Sequence, residues 1–591
     1  MLAAVRLVAF LVASVCTFAG WYDHAWALYG PVAAVAWAVF AAAVALHRGP
    51  YFLEPRIGAM AATHDEDAAR MQGRWEALPD DGADFLDPGG APWLAELQVF
   101  GRCSLYQLLS RAALPAGRAR LAAALREGVE VSALVERQQA AAELARLSGL
   151  RRRVQVEGRL VRVDEAALER FFAWAEADVD PRWLRPVEVF GALLVVATFV
   201  QGVLSASFDL PTAWRVTLAL QVVVYLATTR RLSADYAPLL GDARHRPFVA
   251  LRRMFARIEA RRFRSALLQR MQAELGPEGA RPSQRMATFE AVLEALAVRH
   301  SALLYALVSV VLLWELFQGA RLERWRARHG KRLRADLAAL ADFEALASVG
   351  GFAADHPDYA WPVVAPAEAG EPVFAGQAVG HPLFAAATRR ANDFTIEHGG
   401  ELVLITGSNM SGKSSFLRTV GINTLLARAG TPACARALRM VPCDLSTSIQ
   451  VTDAPAQGLS RFYAEVKRIR GVIERVEAAE RDPDEVPCLY LIDEMLSGTN
   501  SRERNLACRT IVRRLVGARR SFGLVTTHDL DLVGVADELP ADVICYHFSD
   551  RFDGTHLDFD YRLMPGVATT TNALHVLAME GIEVGADPEV P

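Results

Sequence analysis

The chain has 591 residues, 52% of them hydrophobic, with a mean hydropathy of +0.16. This length excludes a single hydrophobic core and predicts three or four units, and the composition indicates that some apolar sequence lies in lipid. The net charge of -4 does not indicate a general nucleic-acid binder, and seven cysteines without a C-x-x-C pair favour reduced thiols over disulfides or structural zinc.

Two apolar runs open the sequence, at residues 7–22 and 31–46. Each is near the lower length limit of a membrane-spanning helix. The connector between them, residues 23–30, has no Lys or Arg, whereas Arg6 and Arg48 flank the pair. Because positive residues stay on the cytoplasmic side, residues 1–48 predict a transmembrane hairpin with both ends in the cytoplasm.

Residues 49–185 are predicted to form a cytoplasmic helical domain, and a second apolar pair follows at residues 187–204 and 214–229. Its connector again lacks Lys and Arg, and arginines flank both sides of the pair. We therefore predict a second transmembrane hairpin over residues 186–231. The second arm is short and carries Arg215 and Gln221, so a buried or interfacial helical pair is the alternative.

Residues 232–380 are predicted to form a further helical region. Its apolar stretch 302–314 is interpreted as a buried helix, because one more span would move everything after it across the membrane. A basic run follows it directly. Anionic lipid, nucleic acid or a solvated helix surface would each explain this run. Its members are Arg321, Arg324, Arg326, Arg328, Lys331, Arg332 and Arg334.

From residue 381 to 591, short β-rich runs alternate with helical stretches. The runs are residues 402–405, 488–492, 522–526 and 543–547. Such alternation predicts a parallel α/β domain with crossover helices, placed after a mainly helical region.

The first of these runs is followed by a match to G-x-x-x-x-G-K-[ST], the phosphate-binding P-loop. Glycines let the loop wrap phosphates with backbone N–H groups, and the helix that follows adds positive potential. Lys413 is expected to reach the β- and γ-phosphates of ATP, and Ser414 to bind Mg²⁺. The predicted nucleotide-binding residues are Gly407, Ser408, Asn409, Met410, Ser411, Gly412, Lys413, Ser414 and Ser415.

Two later strands also end in polar residues. Residues 489–492 lead into Asp493 and Glu494, which fit a Walker B aspartate for Mg²⁺ and a general base that activates water. Residues 524–527 lead into His528, which is placed to contact the γ-phosphate. Lys413, Glu494 and His528 are therefore the predicted catalytic residues.

In this order the motifs resemble the MutS family of DNA mismatch-repair ATPases. The P-loop with Phe416-Leu417-Arg418, the Walker B strand with Gly498-Thr499, and Thr527-His528 each have a counterpart in that family. Residues 457–462, Gln-Gly-Leu-Ser-Arg-Phe, resemble its signature loop, and residues 561–567 its closing strand and turn. Fainter likenesses lie upstream: residues 97–125 and 137–144 resemble the start of the family's helical core, and residues 335–352 resemble the end of its lever region.

The resemblance implies an ATP- and Mg²⁺-dependent ATPase that works as a homodimer, in which Ser460 reaches the partner's γ-phosphate. DNA binding is implied by the resemblance alone, and no counterpart of the family's mismatch-reading domain is found. The alternative function is a transport or membrane-remodelling motor of the ABC type without DNA binding. Against it, residues 457–460 do not match the L-S-G-G-Q signature of that class.

The ATP site also bears on topology. A secretory signal peptide, with Arg6 as its basic start and Ala25-Trp26-Ala27 as its cleavage site, would export the site away from ATP. Two hairpins instead keep the ATPase in the cytoplasm. The sequence therefore predicts a multi-pass membrane protein in contact with lipid, whose ATPase domain faces the cytoplasm.

Overall fold

The computed structural model describes residues 2–568 except 23–24, 88, 162–164, 179, 209–213, 237–245, 278–279, 297–307, 409–410, 450–460, 497–500 and 553–556. The described chain divides into two compact units. Unit 1 comprises residues 1–68, 152–257 and 279–333, and unit 2 comprises residues 69–151, 258–278 and 334–591. The five domains expected from the sequence stay a prediction.

The helices are α1 Leu2–Tyr22, α2 Trp26–Met71, α3 Trp93–Glu96, α4 Leu105–Leu109, α5 Pro115–Glu127, α6 Val131–Ala145, α7 Ser148–Gly158, α8 Glu165–Glu176, α9 Leu184–Phe208, α10 Trp214–Tyr236, α11 Arg246–Glu259, α12 Ala266–Glu274, α13 Pro282–Leu296, α14 Trp314–His329, α15 Leu333–Asp355, α16 Lys413–Arg428, α17 Arg461–Arg481, α18 Ser501–Val516 and α19 Gly534–Glu538. Short 3-10 helices lie at Trp75–Ala77, Ala83–Phe85, Pro181–Trp183, Gly330–Arg332 and Leu530–Val533.

The strands are β1 Val363–Val364, β2 Phe374–Val379, β3 Asn392–Ile396, β4 Leu402–Thr406, β5 Ala437–Met440, β6 Asp444–Ser448, β7 Cys488–Asp493, β8 Ser521–Thr527, β9 Val543–Phe552 and β10 Leu557–Pro565.

In unit 1, the four apolar runs of the sequence fall on α1, α2, α9 and α10. The arms of each predicted hairpin are hydrogen-bonded to each other. Trp37 Nε1 donates to Thr17 Oγ1 at 3.3 Å, and Thr198 Oγ1 donates to Thr217 Oγ1 at 2.8 Å. These polar side chains lie between the arms, while large apolar side chains such as Phe199 point outward.

By length and hydropathy, three helical stretches of the described chain are long enough to cross a membrane: Trp26–Ala43, Leu184–Ser205 and Trp314–Asp355. The third is largely buried in protein, whereas the first two are mostly exposed. Val8–Gly20 and Trp214–Thr228 are shorter apolar helices. Of the buried helix expected at residues 302–314, residues 302–307 lie outside the described residues. The described part is helical at residues 308–311 and is interrupted at Leu313, which has a φ of +48°.

Ion pairs occupy part of the basic run between residues 321 and 334. Arg324 pairs with Glu188, and Lys331 Nζ lies 2.6 Å from a carboxylate oxygen of Asp178. The guanidinium of Arg326 lies over the Trp174 ring, with its Cζ atom 5.0 Å from the centroid. Part of this basic run therefore stabilises unit 1 itself.

Unit 2 is built on a six-stranded sheet in the order β10-β9-β4-β8-β7-β6. Neighbouring strands from β9 to β6 are parallel, and β10 pairs with β9 antiparallel. Strands β4, β7 and β8 are buried almost throughout, as expected where helices cover both faces of a parallel sheet. The predicted α/β domain is thus confirmed. Unit 2 also contains a second, four-stranded sheet in the order β1-β5-β2-β3.

Upstream helical residues share one hydrophobic core with this sheet. Leu97 and Leu121 belong to the same buried cluster as Leu417 of α16 and Leu491 of β7. A Cβ atom on Gly421 would lie 2.9 Å from side-chain atoms of both Leu97 and Leu491, so glycine is needed for this close packing. The segment that resembles the start of the MutS helical core is therefore packed into unit 2.

Candidate nucleotide site

The P-loop connects β4 to α16 and depends on two glycines. Gly407 has a φ of +146° and Gly412 a φ of +106°, conformations that residues with a Cβ atom rarely adopt. A Cβ atom on Gly407 would also lie 2.9 Å from Ser411 Oγ and 3.0 Å from the Phe548 carbonyl oxygen. The turn that opens the nucleotide site therefore requires the glycines of the motif.

Lys413 is the first residue of α16 and is almost fully buried. Its ammonium donates to the carbonyl oxygens of Gly407 and Ser408, both at 2.8 Å, and lies 3.8 Å from Glu494 Oε1. The cation is thus held between the P-loop and the acidic end of β7, where a phosphate chain on the P-loop would meet it.

Asp493 ends β7 beside the P-loop helix. Its carboxylate accepts hydrogen bonds from the hydroxyls of Ser414 and Thr526. Burial raises the pKa of Asp493, and these two hydrogen bonds oppose that rise. Ser414 and Asp493 together present hard oxygen atoms of the kind that Mg²⁺ prefers, so the predicted metal ligands fit the ion.

Glu494 adopts a left-handed backbone conformation, with a φ of +46°. Its N–H donates to Thr526 Oγ1 at 3.1 Å, so the same threonine contacts both acids. The conformation is strained for a residue with a Cβ atom, and it separates the direction of the Glu494 carboxylate from that of Asp493. The Asp493 carboxylate thus contacts Ser414, whereas the Glu494 carboxylate lies near Lys413.

His528 follows β8, the strand next to β7. The two strands are in parallel register, with Asp493 opposite Thr526, so their carboxyl ends meet at one edge of the sheet. His528 Nδ1 lies 3.7 Å from Glu494 Oε1, and the imidazole is 45% exposed. This distance exceeds a hydrogen bond, and the exposed ring is open to a ligand at the sheet edge.

The structure therefore brings Lys413, Ser414, Asp493, Glu494 and His528 to one edge of the sheet. Ser408, Ser411 and Ser415 lie on or beside the same loop, and their predicted roles stay predictions. Asn409, Met410 and Ser460 lie outside the described residues.

Tyr561 is a site residue to which the sequence analysis gave no role beyond its place in the motif of the closing strand and turn. It lies in β10 with a φ of +55°, and its ring is so close to the P-loop that a Cβ atom on Gly412 would lie 2.9 Å from its Cδ1 atom. Asn392 donates to its carbonyl oxygen at 3.1 Å and fixes the strand there. Tyr561 is 41% exposed, which suits stacking of its ring against a planar base. The sequence of the closing strand does not indicate that the Tyr561 ring packs against the P-loop at Gly412.

The part of the chain that carries this site is similar to a known protein family. Residues 403–584 match MutS domain V. The chain is 32% identical over 273 residues to "DNA mismatch repair protein MutS 2" of Halobacterium salinarum, which covers 46% of this chain and 30% of that protein. It is 33% identical over 204 residues to "DNA mismatch repair protein MutS" of Thermus aquaticus, which covers 34% of this chain and 23% of that protein.

A third relative, "DNA mismatch repair protein MutS" of Thermus thermophilus, is 33% identical over 192 residues, 32% of this chain and 22% of that protein. The chain thus spans less than a third of the length of these curated relatives. The likeness supports the MutS resemblance of the sheet-bearing region.

Proposed function

We propose that this chain is a MutS-type ATPase that binds ATP with Mg²⁺ and hydrolyses it. The observation that carries the proposal is the meeting of Lys413, Asp493 and Glu494 at one edge of a parallel sheet, within the residues that match MutS domain V. These are a cation for phosphate, a metal-binding acid and an acid placed to act as a base.

Each side chain has one role. The P-loop amides and Lys413 bind the phosphates, and Ser414 with Asp493 holds Mg²⁺. Bound Mg²⁺ would supply positive charge that stabilises the negative charge of the phosphate oxygens. Glu494 accepts a proton from the attacking water, and His528 contacts the γ-phosphate.

Purified protein should hydrolyse ATP, and Lys413→Ala should abolish tight ATP binding, with Lys331→Ala as a control. Wild-type protein that binds no ATP would overturn the proposal.

The second part of the proposal is a dimer in which Ser460 of one chain completes the ATP site of the other. It rests on the family resemblance of residues 457–462. Ser460→Ala protein should be mixed with Lys413→Ala protein under conditions of proven subunit exchange. A mixed dimer has one site with both lesions and one intact site, so activity should return. No recovery would indicate a site completed within one chain.

The third part is anchoring in a membrane by two hairpins, α1–α2 and α9–α10. It is supported by the exposed apolar faces of these helices, since water-soluble monomers rarely leave such contiguous apolar surface uncovered. Both chain ends and the ATPase domain are then cytoplasmic. A cysteine placed at Asp209 should react with a reagent added outside the membrane and one at Arg231 should not. The reverse pattern contradicts the topology.

The fourth part concerns DNA. The relatives are DNA mismatch repair proteins by name, but this chain spans less than a third of each. We propose that lipid anchoring replaces encirclement of DNA and leaves only weak, salt-sensitive DNA binding. Mismatched and perfect duplexes should then bind alike at fixed salt. A preference for the mismatch of about 1–3 kcal/mol, the contribution of one base pair, would contradict this.

A further inference from the structure

Glu96, the last residue of α3, lies far from the nucleotide motifs in the sequence but is buried among elements of the ATP site. Its carboxylate accepts hydrogen bonds from the Thr447 hydroxyl and, at 3.1 Å, from the Ile449 backbone N–H. It also lies 2.7 Å from Arg468 Nη1 of α17. A buried carboxylate with this many charge-assisted partners is a strong point of attachment.

A second contact links the same residue to the P-loop helix. Arg418 Nε donates to the Glu96 carbonyl oxygen at 3.1 Å, and Arg418 lies in α16 five residues after Lys413. Glu96 therefore contacts the end of β6, the helix α17 and the helix α16.

Helix α17 in turn holds the turn that carries Glu494. One turn before Arg468, Glu465 is buried, and its carboxylate accepts a hydrogen bond from the backbone N–H of Leu496. Leu496 has a φ of +56° and Glu494 a φ of +46°, so this turn is strained and needs support from its surroundings. The Glu465 hydrogen bond provides part of that support.

We propose that Glu96 is a positioning residue for ATP hydrolysis, acting through Arg468 and Glu465 on the turn that places Glu494. The inference rests on the proposed ATPase function and adds a residue from the upstream helical segment to it. Because the phosphate-binding residues belong to the P-loop itself, loss of Glu96 should slow hydrolysis more than it weakens ATP binding.

The test compares Glu96→Gln and Arg468→Met with the wild type, as full chains in detergent. Glutamine still accepts from Thr447 and Ile449 but loses its charge opposite Arg468. We expect kcat to fall about ten- to a hundredfold in each variant, the range that misplacement of a catalytic group produces, with little change in the Kd for ATP. The double variant should be no slower than either single one, because both remove the same link.

Glu344→Gln is the matched control. Glu344 is also a buried carboxylate in unit 2, and it accepts from the backbone N–H groups of Ala113 and Leu114 at 3.2 and 3.1 Å. Its kcat should equal that of the wild type. Unchanged kcat in both Glu96→Gln and Arg468→Met would overturn the proposal, and so would an equal loss of kcat in the control or a loss of ATP affinity that matches the loss of kcat.

Hydrogen exchange gives a readout that does not need hydrolysis. In nucleotide-free protein, the amides of Ile449 and Leu496 should exchange faster in Glu96→Gln than in the wild type and in Glu344→Gln. If the wild type hydrolyses no ATP, the proposed function fails, while this exchange still decides whether Glu96 supports the turn that carries Glu494. Unchanged exchange at Leu496 overturns the role of Glu96 and leaves the proposed function standing.

Discussion

The six-stranded sheet of unit 2 and the apolar helices of unit 1 distribute polarity in opposite ways. In the sheet, strands β4, β7 and β8 are buried and apolar, and the polar site residues follow the strands at one edge. In unit 1, the outer faces carry apolar side chains, with Phe199 72% and Val216 73% exposed, while Gln221 is fully buried. Apolar surface outside and polar groups inside suit a lipid environment.

Function depends on different features in the two regions. At the edge of a parallel sheet, the chemistry is local, because neighbouring strands must deliver their last residues to the same place. On an apolar helix surface, the same side chains suit lipid or another protein, and only measurement in a membrane separates the two. Four experiments test these roles of the sheet edge and of the apolar helices.

The largest effect is expected at the sheet edge. Glu494→Gln should lower the rate of ATP hydrolysis about 10²–10⁴-fold, the usual contribution of a positioned base, while ATP and Mg²⁺ still bind. Glu538→Gln, a change at an exposed glutamate paired with Arg513, should leave the rate unchanged. Steady-state turnover and equilibrium ATP binding measure the two effects, and wild-type turnover in Glu494→Gln would show that another group is the base.

The next effect is expected on the outer face of unit 1. Leu193 in α9 is 64% exposed, and Leu193→Arg places a charge there at an insertion cost of about 3 kcal/mol. Membrane association of the expressed protein should fall. Leu506→Arg is the matched control, because Leu506 is a similarly exposed leucine, at 70%, in α18 of unit 2. Equal behaviour of the two variants in membrane flotation would contradict lipid contact at α9.

Much of the ATP site was predictable from the sequence, because neighbouring parallel strands deliver their last residues to the same edge of the sheet. The P-loop, Asp493-Glu494 and His528 each follow an apolar run, and strand pairing alone brings them together. The position of Thr526 between the two acids was not predictable, because a threonine inside a buried strand gives no signal of its hydrogen bonds.

The contacts of Tyr561 and Glu96 were not predicted, because they depend on packing between segments that are distant in the sequence. Tyr561 packs against the P-loop from β10, and Glu96 of α3 contacts the end of β6 and the helix α17. Neither contact is indicated by the residues next to it in the sequence. The apolar runs predicted helices in unit 1, but their bounds were short. The second run continues as α2 from Trp26 to Met71, because charged residues after Leu46 extend the helix without extending its apolar part.

A third effect is expected from acid. Burial lowers the pKa of His381 to about 4, and Arg418 and Arg389 contribute to the decrease. The unfolded chain, with its higher pKa, binds the proton first, so unit 2 should lose about 1.4 kcal/mol of stability per pH unit as pH falls from about 6.5 towards 4. His381→Asn, whose oxygen can still accept from the Leu383 N–H, should reduce this slope. Thermal midpoints across that pH range measure it, and equal slopes would show that His381 is protonated in the folded chain.

The smallest effect is expected at Tyr561, a residue of the closing strand β10 that lies beside the P-loop. If its exposed ring stacks on the base of ATP, Tyr561→Ala should weaken ATP binding by about 0.5–1.5 kcal/mol, and Tyr561→Phe should not. Affinity for inorganic tripolyphosphate separates base contact from loop support, because that ligand has no base. Equal weakening for ATP and tripolyphosphate would mean that the ring acts by packing against Gly412 and shaping the P-loop. Selective weakening for ATP would extend the site from the strand ends to β10 and place the base beside the start of α16.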